Sequence, residues 1–312
     1  MDAVDVVMIE TLRSNGRIRG RELAEILGIS RSAAAARLAQ LLQSGKVRVV
    51  GVVHPAVLGL HAVAHVSVTV DRAVEDVAGR IAELDEVPFV SLVTGSAALV
   101  AEVRVHQTAE LAASLEKIRT TTGVKGISTL VYTDMVIDVL RPWATSENSL
   151  DETDVRLLGL LQLDGRMSYT EMSARTGLSI GTARLRVRRL IADQVIRVGA
   201  LTAPGTGEQE YAIGLGIQMR GVVADLVALL ADLPEMTFLA TTIGRFDILA
   251  TVTCASLSEG IAAVDRIREL PQAVGLETWL HMHVFKERYH FSPLTPGYQP
   301  VELDGVPVGS GS

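Results

Sequence analysis

Gly16-Arg17 recurs as Gly165-Arg166, Gly28 as Gly177, Ser30 as Ser179, Arg37 as Arg186 and Leu41 as Leu190, always 149 positions apart. The register continues without a gap through Phe89 and Phe238, Gly95 and Gly244, Glu110 and Glu259, Arg119 and Arg268, Gly126 and Gly275, and Thr129 and Thr278. A solenoid repeats every 20–50 residues or so. A spacing this long instead duplicates a unit large enough to hold two small domains, and two such units account for the 312 residues.

Within each unit the first stretch is helical. Arg21–Leu27 carries apolar residues at helical spacing, and Gly28 follows where a sharp turn needs positive φ. Ser30 then stands at an N-cap position. In the helix it opens, Ala34, Leu38, Leu41 and Leu42 share one face; Ser32, Ala33, Ala36, Gln40 and Gln43 occupy the other, with Arg37 at the border. Helix, glycine turn and capped second helix make a helix-turn-helix. Val4–Leu12 supplies the preceding helix, and the β-branched run from Lys46 to Val53 reads as a wing.

The remainder of each unit reads as βαββαβ, the ferredoxin-like order. In copy one this covers Ala62–Val70, Val74–Leu84, Val87–Thr94, Ala98–Val105, Thr108–Thr120 and Gly126–Val139. In copy two it covers Tyr211–Met219, Val222–Leu233, Thr237–Thr242, Phe246–Thr253, Ser256–Leu270 and Leu276–Phe285. Runs such as Leu99-Val100-Ala101 and Ile248-Leu249-Ala250 are apolar on both strand faces. Two helices cover only one face of such a sheet, so the other is expected to stack on the second copy's sheet.

The expected class is therefore α+β. Residues 1–53 and 151–203 form winged helix-turn-helix domains, 60–140 and 209–291 ferredoxin-like domains, 141–150 a linker, and 292–312 a Pro/Gly/Ser-rich disordered tail. Fully extended, the linker spans at most about 35 Å, enough to pair the units as an intrachain pseudo-dimer.

Charge narrows the function. The chain carries a net −7, yet residues 1–50 sum to +3 and residues 150–200 to +2, which leaves −12 elsewhere. Basic helix-turn-helix modules on an otherwise acidic chain point to double-stranded DNA as partner, because local field governs phosphate contact. In head one, Arg31, Ser32, Ala33, Ala36, Arg37 and Gln40 are candidates: alanine methyls for thymine methyl groups and Gln40 for adenine. In head two, Thr182, Arg184, Leu185, Arg186, Arg188 and Arg189 favour phosphate contacts and guanine. Arg37 and Arg186 equally suit salt bridges on the helix surface.

The single cysteine, Cys254, excludes an internal disulfide framework and reads as an inert buried thiol. Asp2 and Asp5 replace the basic start of a signal peptide, so a cytoplasmic location is expected. Val49–Val70 is uncharged, but His54, Pro55, Gly59, His61 and His65 interrupt it and argue against a membrane span. His281 and His283 alternate and are expected on one sheet face, as core or interface residues. The sequence shows no nucleophile–His–acid set, phosphate-binding glycine loop or metal-ligand spacing, so neither catalysis nor a resident cofactor or metal is expected.

Both units resemble the leucine-responsive regulator/AsnC (Lrp/AsnC) family of bacterial transcription factors. Glu22-Leu23-Ala24, Gly28-Ile29-Ser30, Arg37, Leu41, Gly45 and Val47 match its DNA-binding head, and Pro55–Gly59 its connector. Gly244-Arg245-Phe246-Asp247 is similar to its Gly-x-x-Asp turn, and Leu270-Pro271 with Thr278 to its later segment. Copy one departs with Ala98 in place of the turn's aspartate and Thr121-Thr122 in place of Leu-Pro; copy two replaces the connector with Pro204–Glu208. The resemblance implies RAM- or ACT-like effector domains that pair sheet to sheet and bind a small, amino-acid-like effector at their interfaces, with further homo-oligomerisation. It places effector sites at Gly95 and Ser96 in copy one and at Thr242, Gly244, Arg245 and Asp247 in copy two. On the residues alone, Asp247 equally suits an effector ammonium or a turn-capping hydrogen bond. Sirohaem decarboxylases resemble the same architecture. They leave open a tetrapyrrole-processing enzyme in which His54, His281, His283 and arginines meet substrate carboxylates.

Overall fold

The computed structural model describes residues 2–53, 55–138, 150–202 and 210–288. His54, most of the linker, the Pro204–Glu208 connector and the tail lie outside them.

The first head consists of α1 (Ala3–Ser14), α2 (Gly20–Leu27), α3 (Arg31–Gln43) and β1 (Val47–Val53); the second of α6 (Glu152–Leu163), α7 (Tyr169–Thr176), α8 (Ile180–Ala192) and β6 (Ile196–Thr202). Gly28 and Gly177 end α2 and α7 at φ of 64° and 75°. The hydroxyls of Ser30 and Ser179 accept from the backbone N–H groups of Ala33 and Thr182 at 3.2 and 3.1 Å. The turn chemistry legible in the sequence is thus what starts both second helices.

The run read as a wing is a strand in each head, and the two strands pair with each other. Among the described residues each head contributes one strand, not a hairpin, and β1 pairs antiparallel with β6 from Val47↔Thr202 to Val53↔Ile196. The strands also exchange cores. Val198 and Ala200 of β6 lie in the core of head one with Met8 and Leu12, and Val53 of β1 lies in that of head two with Leu157 and Leu161.

The repeated Gly-Arg pair that anchored the sequence register forms the seam. Gly16 N–H donates to Val198 O at 2.8 Å and Gly165 N–H to Val49 O at 2.9 Å. Arg17 reaches the carbonyls of Gly165 and Met167, and Arg166 those of Gly16 and Ile18. A Cβ on Gly16 would stand 2.8 Å from Val198 O, and one on Gly165 2.9 Å from Val50 C.

The remaining strands are β2 (Ala62–Val70), β3 (Phe89–Val93), β4 (Leu99–Val105) and β5 (Val124–Ile137), then β7 (Tyr211–Met219), β8 (Met236–Ile243), β9 (Ile248–Cys254) and β10 (Ala273–Glu287). Helices α4 (Val74–Ala82), α5 (Thr108–Thr120), α9 (Val223–Ala231) and α10 (Leu257–Arg268) interleave in the expected βαββαβ order. Two stacked sheets, however, are not what forms. All eight strands close into one barrel, ordered β10-β3-β4-β2-β5-β8-β9-β7.

Two long strands explain the closure. β5 pairs with β2 up to Val131 and continues along β8 to Ile137. β10 pairs with β7 up to Leu280 and with β3 from His281 onward. Each leaves its own sheet to satisfy the other's edge, removing the unpaired N–H and C=O groups that open edges expose. Outer faces pack under the helices, with Val66, Val68, Val77, Ile81 and Leu99 in one core and Leu215, Ile217, Leu226, Leu230 and Ile248 in the other. The inner faces meet across a lumen.

Candidate functional site: the paired heads and the barrel lumen

In head one the outer side of α3 leaves Arg31, Ser32, Ala33, Ala36 and Gln40 exposed. In head two Thr182, Arg184, Arg188 and Arg189 are exposed on α8, with Leu185 at 71% exposure. Arg37 and Arg186 take the salt-bridge role that the sequence also allowed. Arg37 binds Asp2 and Asp5, and Arg186 binds Asp151 at 2.6 Å and Asp154 at 3.0 Å. Arg189 also reaches the buried Asp154 carboxylate. These aspartates form the capping boxes of α1 and α6, so the arginines tie each recognition helix to the first helix of its head. The arginine guanidiniums beside Asp2 and Asp151 hold both carboxyls below the usual carboxylate range, Asp2 at about 2.

At the glycine turns the two copies meet. Ser96 Oγ donates to Glu277 at 3.1 Å, and Arg245 forms an ion pair with the same carboxylate at 2.8 Å. Arg245 also lies over the Phe246 ring, 4.4 Å from its centroid. Thr242 Oγ1 donates to Phe246 O, and Gly244 and Gly95 pack near Leu130 and Trp279. Asp247 accepts from the Met219 N–H at 2.8 Å, which ties the turn to the end of β7 and is neither an effector contact nor a cap on the turn's own backbone. Val93, Val100, Leu130, Phe246, Leu249 and Trp279 fill the adjoining part of the lumen.

Toward the heads the lumen opens into a cavity of about 860 Å³. Barrel residues His65, Glu102, Tyr132, Phe238, Trp279 and His281 line it, as do Glu10, Arg13 and Ser14 of α1 and Arg197, Ala200 and Leu201 of β6. One wall holds a buried polar cluster. Arg104 binds Glu102 and, at 3.2 Å, Asp138, while the Tyr132 hydroxyl hydrogen-bonds to Glu102. Burial pushes the Glu102 carboxyl up, and burial beside Glu102 raises the Tyr132 phenol well above its ordinary value. Burial pushes His65 down to about 3 and His281 to about 4, so both imidazoles are neutral near pH 7. Burial likewise raises the Cys254 thiol, in keeping with an inert residue.

His281 and His283 do not share a face. A register shift lies between them, leaving His281 in the cavity and His283 outside against Phe285, whose ring approaches Gly79 on α4. A bulge breaks the period-two rule, and sequence alternation cannot reveal it. The polar cluster was also missed. Its signal was two charged residues, Glu102 and Arg104, two apart in an apolar run.

Three family models match the chain. A winged helix-turn-helix DNA-binding model covers residues 1–48, an Lrp/AsnC ligand-binding-domain model 61–139, and an AsnC-type helix-turn-helix model 150–191. An uncharacterized HTH-type transcriptional regulator of Pyrococcus abyssi is 37% identical over 147 residues, covering 93% of that protein and 44% of this chain. The chain belongs to the Lrp/AsnC family of transcriptional regulators. A second such regulator, from Pyrococcus horikoshii, is 34% identical over 93% of its length and 44% of this chain. Both relatives are archaeal, so the family is not confined to bacteria. A solved sirohaem decarboxylase, NirDL, in complex with an iron-uroporphyrin III analogue, shares the fold over 92% of this chain and 94% of its own. Its TM-score is 0.60 and its sequence identity 14%. Among the described residues no helix is long and apolar enough to cross a membrane.

Proposed function

We propose that the chain is a cytoplasmic one-component regulator in which a tandem pair of Lrp/AsnC units acts as a built-in pseudo-dimer on DNA. The observation that carries this reading is the β1–β6 seam, which fixes two chemically unequal recognition helices, α3 and α8, in one rigid head pair. Head one contributes Ser32, Ala33, Ala36 and Gln40 for base edges; head two contributes Thr182 and Arg189 for base edges, with Arg184 and Arg188 beside them for phosphates. The operator is then two non-identical half-sites about one helical turn apart, not a true palindrome. A small effector at the interface between the halves, with Gly95, Ser96, Thr242, Gly244, Arg245 and Asp247 as candidate neighbours, shifts operator affinity.

Selection of bound fragments from random DNA tests the reading. An asymmetric consensus is expected, with Gln40→Ala and Thr182→Ala relaxing specificity at different half-sites. A consensus with perfect two-fold symmetry, equally sensitive to both substitutions, would refute the unequal-head model.

The second reading is an enzyme acting on a tetrapyrrole. It draws on the fold shared with NirDL across both halves and on a cavity that holds His281. Purified protein with a porphyrin absorption band and no retardation of DNA would put this reading first.

A further inference from the structure

The cavity beneath the heads is separate from the recognition helices, and the packed lumen residues stand between it and the glycine turns. Its walls are paired rings. His65 and Trp279 lie 5.9 Å apart between centroids, Phe89 and His281 6.0 Å, and Tyr132 and Phe238 5.8 Å. Each imidazole has one nitrogen engaged by a serine, His65 with Ser67 at 3.2 Å and His281 with Ser91 at 2.9 Å, and among the described residues its other nitrogen makes no hydrogen bond. Trp279, 9% exposed, has an indole N–H without a hydrogen-bond partner among the described residues.

At the mouth Arg13 bridges Glu10 and Glu210 at 2.7 and 2.9 Å, one cation between two carboxylates, and Arg197 and Glu287 also line the cavity. The volume of about 860 Å³ lies high in the range of about 300–1,000 Å³ that holds drug-sized ligands, and exceeds what a lone amino acid needs. The ring pairs are tilted or edge-on, at 37°, 64° and 47°, so they line the cavity with aromatic surface that favours a flat π-system, and neutral imidazoles favour an uncharged polar edge.

We propose that this cavity binds a planar, polycyclic heteroaromatic molecule, stacked among Phe89, Trp279, Tyr132 and Phe238, with its polar edge on His65 and His281. Because α1 and β6 line the same cavity, the bound molecule touches the head pair directly and alters its affinity for DNA. This coupling rests on the regulator reading; the binding site does not.

The test titrates the full chain, carrying Trp143→Phe so that Trp279 is the sole reporter, with riboflavin and with protoporphyrin IX. L-phenylalanine serves as the small-ring comparison. Saturable quenching of Trp279 by at least one planar probe is expected, and none by L-phenylalanine. Riboflavin binding identifies a compact heteroaromatic ligand and protoporphyrin binding a macrocycle. Thr251→Phe and Ala212→Phe, on neighbouring strands, each fill the lumen and should weaken binding at least tenfold; either suffices if its circular dichroism matches the parent. His281→Phe, which keeps the ring and loses the nitrogen, should weaken it less. Absence of saturation by both planar probes, or unchanged affinity in a folded plugged variant, overturns the site. With probe bound, affinity for the selected operator should shift about fivefold or more. An unshifted operator affinity overturns the coupling alone, while failure to bind DNA with or without probe defeats the regulator reading and leaves the ligand site standing.

Discussion

His65 and His281 show how burial changes what a residue does. In the unfolded chain both take up a proton near pH 6.5, whereas in the barrel they do so only near pH 3 and 4. Between these values the unfolded state holds more protons, so stability falls as pH drops from about 6.5 toward 4 and continues to fall toward 3. Urea unfolding between pH 7 and 4 should show this decline, and His65→Phe should flatten it. The capping aspartates act in the same sense but at lower pH. Asp2 and Asp151 have depressed folded values, so their contribution holds above about pH 4 and disappears as acid protonates them. The two effects therefore occupy different windows, and the histidine loss comes first on acidification.

At the scale of elements, the serine caps and the glycine seam carry separate loads. Ser30→Ala or Ser179→Ala removes one acceptor from the start of a recognition helix and should cost about 1 kcal/mol, read as a shift in the urea midpoint. Gly165→Val is a different kind of change. Its Cβ would meet backbone at Val50, which cannot yield as a flexible side chain does. The expected result is loss of amide protection in β1 and β6, measured by hydrogen exchange, with the barrel strands still protected. Long strands matter as much as caps. β5 and β10, of 14 and 15 residues, each serve two sheets, and each has a register shift where it changes partner or close to it.

For the whole molecule, the head pair sits on the barrel as one body with two different DNA-facing surfaces. Head two carries more exposed arginine, so Arg184→Ala and Arg188→Ala should each weaken binding across all sequences and reduce the salt slope by about 1. Ala33→Glu in head one, which puts a carboxylate on the exposed face of α3, should abolish binding at low and high salt alike. Electrophoretic retardation over a salt series separates the two behaviours. The closed barrel makes the halves interdependent, so cutting the chain between residues 141 and 149 should give fragments that stay associated through β5–β8, β3–β10 and β1–β6. Size-exclusion chromatography of the nicked protein checks this.

Much of this was legible in the chain itself. The 149-residue register, the Gly28 and Gly177 turns, the Ser30 and Ser179 caps and the order of strands and helices are set by local chemistry: backbone conformation, hydrogen-bonding side chains and hydrophobic period. Several site residues were legible only as alternatives. Arg37 reads as a DNA contact or a salt bridge until Asp2 and Asp5 are brought beside it, and the bond from Met219 to Asp247 joins the turn to a strand 28 residues away, which neither reading of Asp247 included. Barrel closure, the exchanged β1 and β6, the bulge that separates His281 from His283, and the cavity under the heads belong to tertiary structure alone. Each depends on which distant strand edge satisfies which free N–H and C=O groups, and a strand's own sequence does not encode the partner that its edge will find.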